Sequence, residues 1–101
     1  MKRGEVLDLA KQYVTKDRQA DHGAPEDTFA SIARFWTLYK GVPFNSTEVA
    51  MMLALLKVAR QKGNPQHADN YVDFAGYAAC AAELAEVPFG VDKLRGDERD
   101  G

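Results

Sequence analysis

Cysteine is almost missing from this chain of 101 residues. The single Cys80 excludes an internal disulfide and a cysteine-based zinc site. No basic excess is present either: the net charge is -2, which argues against a general nucleic-acid binder, since that needs a clustered basic surface. Apolar runs stop well short of the about 18 residues that span a bilayer. The start, MKRGEVLDLAKQ, has two basic residues with no apolar run behind them, so it does not read as a signal peptide. Internal repeats are absent, and no strand pattern competes with the helical one. These absences imply one small, soluble, cytoplasmic domain.

A composition of 46% hydrophobic and 28% charged residues suffices for a modest core. Periodicity and punctuation divide it into four helices. The first spans about Glu5 to Gln19, with Val6, Leu7, Ala10, Tyr13 and Val14 at helical spacing and Gly23 to end it. The second spans about Glu26 to Lys40. Pro25, Glu26 and Asp27 open it, Phe29, Ile32, Ala33, Trp36 and Tyr39 form its stripe, and Gly41 and Pro43 close it.

The third helix begins at Asn45 or Ser46, where Asn45 and Glu48 have the spacing of a capping box. Its body, VAMMLALLKVA, is apolar nearly all round, which suits a bundle centre or a subunit interface. Gly63, Asn64 and Pro65 end it. The fourth spans about Asp69 to Ala85, capped by Asp69 and stopped by Pro88, with small residues in AGYAACAA for close helix approach. Short connections then predict an all-α, four-helix up-down bundle over residues 1–88, followed by a short flexible charged tail over 89–101.

In that topology the first and third connections share one end of the molecule. One brings Arg18, Asp21, His22, Glu26 and Asp27; the other brings Lys57, Arg60, His67, Asp69, Asn70 and Asp73. With the turn near Pro65, facing residues of the last two helices sum to roughly 131, so Lys57 meets Asp73 and Arg60 meets Tyr71. Asp73 shares its face with Tyr77, Cys80 and Leu84, so its carboxylate is partly buried and needs a partner.

Two readings of this cluster stand side by side. In one, Lys57 and Arg60 simply neutralise Asp69 and Asp73. In the other, Asp69, Asn70 and Asp73 hold a hydrated magnesium ion, and Lys57 and Arg60 meet substrate phosphates. His22 is either a loop histidine beside a glycine or a phosphate donor or base. Glu48 serves the helix start, and Cys80 reads as a packing residue.

The strings RQADHGAPEDTFASIARFW, EVAMMLALLKVAR and DNYVDFAGYAA, over about residues 15 to 82, resemble a small domain of unknown function found in bacteriophage and prophage proteins. More distantly they resemble the MazG-like all-α nucleoside triphosphate pyrophosphohydrolases and helical domains tied to phage nucleotide modification. Those hydrolases pair an E-x-x-E helix with an E-x-x-D helix around magnesium. Asn70 and Asp73 fall on the second motif, with Asn70 in the glutamate's place. Glu48 opens the first, and Met51 stands where its second acid belongs. A metal site of that kind would need Asp21, Glu26 or Asp69 to substitute.

The resemblance implies a magnesium-dependent nucleotide pyrophosphohydrolase or nucleotide binder of phage nucleotide metabolism. In the hydrolase, a metal-activated water attacks a phosphoryl group, Asp21 or Asp73 orients it, and Lys57 and Arg60 stabilise developing charge. Arg18, His22, Lys57, Arg60, Asn70 and Tyr77 form the substrate-binding set. The competing reading is a non-enzymatic accessory module for a host protein or signalling nucleotide. A third reading is a purely structural helical oligomer. A homo-oligomer is expected in any case, with the third and fourth helices contributing to its interface, because three companion helices cannot easily cover the third.

Overall fold

The computed structural model describes residues 1–17 and 23–86. Its helices are α1 (Arg3–Gln12), α2 (Pro25–Lys40), α3 (Ser46–Gly63) and α4 (Ala68–Glu86), with a π-helical turn, Tyr13–Asp17, after α1 and no strand among the described residues. The all-α bundle expected from periodicity is the fold observed. The expected tail over 89–101 and the stop at Pro88 lie outside the described residues.

Local chemistry accounts for the helix ends. Gly41 closes α2 in the left-handed region at φ 76°, and its N–H donates to the Thr37 carbonyl. Asn45 caps α3: the Glu48 N–H donates to Asn45 Oδ1 at 2.8 Å, and the Asn45 N–H donates to Glu48 Oε1 at 2.9 Å. Asp69, expected as the cap of the last helix, instead lies inside its first turn. The Asn70 N–H donates to the His67 carbonyl, so the helix starts one residue earlier than Asp69.

The first helix also departs from expectation. Its α-helical hydrogen bonding stops at Gln12 and widens into the π turn. Thr15 Oγ1 donates to the Lys11 carbonyl at 2.6 Å, a back-bond that competes with the helical ladder and loosens it. Gly23 stands in the left-handed region at φ 82°, two residues before α2; the expected end of the first helix at about Gln19 lies outside the described residues.

α3 and α4 form an extensive antiparallel hairpin; α1 packs on α4 and α2 on α3. The core lies between them, with Phe29, Ala33, Val49, Ala50 and Ala81 buried. Aromatic pairs join the layers: Phe29 and Tyr77 lie 6.1 Å apart between ring centroids, and Trp36 meets Phe44 edge-on at 5.7 Å. The buried stripe of α3 is Val49, Ala50 and Ala54, only part of its apolar surface.

Candidate ligand site

The α3–α4 hairpin sets Lys57 opposite Asp73, as their spacing from the turn predicts. Lys57 Nζ stands 2.8 Å from Asp73 Oδ2, and the two side chains are only 16% and 18% exposed. Tyr71, expected opposite Arg60, is reached by its neighbour instead: Gln61 Nε2 donates to Tyr71 Oη at 3.0 Å, and that hydroxyl donates to the Pro65 carbonyl at 2.7 Å. Arg60 is exposed and makes no ion pair among the described residues.

Asp73 forms part of the wall of a half-open cavity of about 580 Å³ bordered by the π turn, α2, α3 and α4. Tyr13, Phe29 and Tyr77 bring aromatic surface to it, Leu53 and Val72 aliphatic surface, and Thr28 a hydroxyl. Gly76 lets the π turn lie close on α4, since a Cβ there would stand 3.1 Å from Val14 Cγ1. Apolar walls with a few convergent polar groups and a volume of this order are the usual make-up of a small-molecule site.

Asn70 and Asp69 precede Asp73 on α4 and differ sharply. Asn70 is 5% exposed, and its side-chain amide finds no hydrogen-bond partner among the described residues. Asp69 is outward and 63% exposed, with its carboxylate 3.9 Å from His67 Nε2. No three histidine, cysteine, aspartate or glutamate side chains come together among the described residues in a way that could hold a metal ion. Arg18, Asp21 and His22 lie outside the described residues.

Several lining residues escaped the reading of the sequence. Tyr13 and Phe29 looked like members of helix stripes, and Thr28 carried no signal at all, yet all three line the cavity with Asp73 and Tyr77. Cys80 packs against the core as expected and also lines the cavity. Burial raises its thiol pKa above the ordinary value, with Glu83 and then Glu26 adding to the shift.

A phage-associated helical domain is the class to which these features belong, and residues 5–85 match the family described as a domain of unknown function, DUF6378. The chain belongs to that family. Among its relatives, the Gene 55 protein of Mycobacterium phage L5 is 40% identical over 80 residues, covering 78% of this chain and 51% of the relative. The Gene 55 protein of Mycobacterium phage D29 is 32% identical over 83 residues, covering 82% of this chain and 55% of the relative. The chain thus spans about half the length of the curated relatives it matches. No solved structure matches it. The phage-domain resemblance is borne out. Neither the family description nor these relatives' names mention a pyrophosphohydrolase, so that more distant likeness bears only on the proposal below. No described helix is long and apolar enough to cross a membrane.

Proposed function

We propose that this domain binds a nucleotide, or a closely related phosphate-bearing small molecule, in the cavity beside Asp73, with a role in phage nucleotide metabolism. The observation that carries the reading is the Lys57–Asp73 pair, largely withdrawn from water, with Asp73 standing in an otherwise mainly apolar cavity wall. Withdrawing two charges from solvent is costly, and a well-packed apolar pair of similar size often serves stability as well or better. A ligand gives the pair a reason to be there. The Asp73 carboxylate would accept from an amine or hydroxyl of base or sugar, while Phe29 and Tyr77 offer flat apolar surface to the ring.

Hydrolysis would require magnesium, with Asp69, Asn70 and Asp73 as the donors on this chain. As placed, these three do not make a ready cage: Lys57 already holds Asp73, and Asp69 faces solvent beside His67. The proposal therefore stops at binding and assigns no step to a metal. Arg18 and His22 stay in it as phosphate contacts by sequence alone, and Asp21 only as the acid that would orient water in the hydrolase reading. Arg60 joins them as an exposed cation not engaged in an ion pair with any described residue.

Thermal melts against nucleoside mono-, di- and triphosphates, with and without magnesium, test the reading. A ligand at 100 times its Kd should stabilise the native chain by about 2.7 kcal/mol. Asp73→Asn and Tyr77→Ala should lose that shift. Nucleotide binding with no phosphate or pyrophosphate release marks a binder; release that needs magnesium restores the hydrolase reading. No shift with any nucleotide refutes the proposal. It would favour the second reading, a module for a partner protein, which rests on Phe35, Leu38 and Tyr39 of α2, from 68% to 86% exposed.

A further inference from the structure

α3 has two apolar faces, and the bundle covers one. Val49, Ala50 and Ala54 are buried. Met51, Met52, Leu55 and Val58 are between 41% and 61% exposed, and Leu55 is the most exposed of the four. Glu48, Met51, Leu55, Val58 and Lys62 recur at alternating spacings of three and four residues, which is the seam of a helix that pairs with another. Met52 and Ala59 flank that seam. Together these side chains leave a contiguous exposed apolar face on α3, the kind of patch that marks an interaction surface.

From the charge pattern of this face we infer that α3 pairs with α3 of a second copy, antiparallel about a two-fold axis at Leu55. The sequence is symmetric about that residue. Met52 and Val58 lie three residues either side, Met51 and Ala59 four, and Glu48 and Lys62 seven. An antiparallel two-fold therefore sets Leu55 on Leu55, Met52 against Val58, and Met51 against Ala59. It also sets Glu48 of each copy beside Lys62 of the other. Glu48 and Lys62 are both exposed in the single copy, so neither must leave a buried position to meet. A closed two-fold contact requires a self-complementary patch, and an apolar centre ended by one acid and one base is such a patch. A standard interface takes about 800 Å² per partner, so the polar rim and adjoining helices join this apolar centre in the contact. The inference does not depend on any ligand in the cavity.

Sedimentation at micromolar concentration tests it on the full chain. The native chain should be a dimer. Leu55→Asp should be a monomer with native circular dichroism, because Leu55 is 61% exposed and lies outside the packed core of its own copy. Lys62→Glu alone should weaken association by about tenfold, since every dimer then carries two like-charge contacts; Glu48→Lys should do the same, with its circular dichroism checked because Glu48 also accepts from the Asn45 N–H at the start of α3. An equimolar mixture of those two variants should recover native association, because each heterodimer again joins opposite charges at both ends. A native chain that sediments as a monomer overturns the inference and leaves the face to a different protein. So does a dimer that survives Leu55→Asp. A mixture that associates no better than its separate components overturns the antiparallel register, and it remains decisive should Leu55→Asp fail to fold.

Discussion

Asp73→Asn in the ligand-free protein should cost about 2 kcal/mol. The gross attraction across 2.8 Å at an effective dielectric of 20 is roughly 6 kcal/mol, most of it offset by the lost hydration of both groups. Exposed pairs are worth about 0–1 kcal/mol, and breaking a fully buried one costs about 3–5 kcal/mol. Side chains 16% and 18% exposed lie between those limits, nearer the buried one. For a domain of this size, about 2 kcal/mol lowers Tm by roughly 10 °C. Lys57→Met should cost a similar amount, because it strands the carboxylate. The double variant should recover about 1–2 kcal/mol of the summed loss, since neither charge is then left alone. Urea or thermal unfolding of the four proteins closes the cycle. Losses that add within about 0.5 kcal/mol would refute the coupling argued here. An Asp73→Asn protein as stable as the native one, yet unable to bind a nucleotide, would mean that Asp73 serves the ligand and not the fold.

Two further outcomes follow from features outside that pair. Asn45→Ala removes the side-chain half of the α3 capping box and should destabilise the domain by about 1 kcal/mol in chemical denaturation, whereas Asn45→Ser should retain most of that. Cys80, its thiol pKa raised by burial and by Glu83 and Glu26, should react with iodoacetamide at pH 8 several-fold more slowly in the folded protein than in urea. The sign for stability is the same. A pKa above the unfolded value contributes stability that is whole below the unfolded pKa of about 9 and is lost as pH rises through the folded one, so Cys80→Ala should flatten the alkaline fall in Tm.

Much of this architecture is readable one turn at a time. Asn45 with Glu48, Pro25 at a helix start and Gly41 at a helix end act on backbone groups within four residues, so their meaning hardly depends on the rest of the fold. The Lys57–Asp73 contact is readable for a related reason: a short turn joins two helices of known rise, and counting residues away from it gives the partner. Where a local signal had a competitor, counting failed. Thr15 could continue a helix or bond back to Lys11, and Tyr71 could meet Arg60 or Gln61 one position on.

The cavity and the bare face of α3 belong to another level. Phe29 and Tyr77 are 48 residues apart, and nothing near either of them announces the other. Likewise, VAMMLALLKVA by itself dictates a helix that must bury something on most sides, because apolar surface is costly in water wherever it points. The sequence cannot say which side its own chain covers. Only the packing of α2 and α4 decides that Val49 is sealed within the bundle while Leu55 faces outward, since hydrophobic burial has no direction until neighbouring helices supply one.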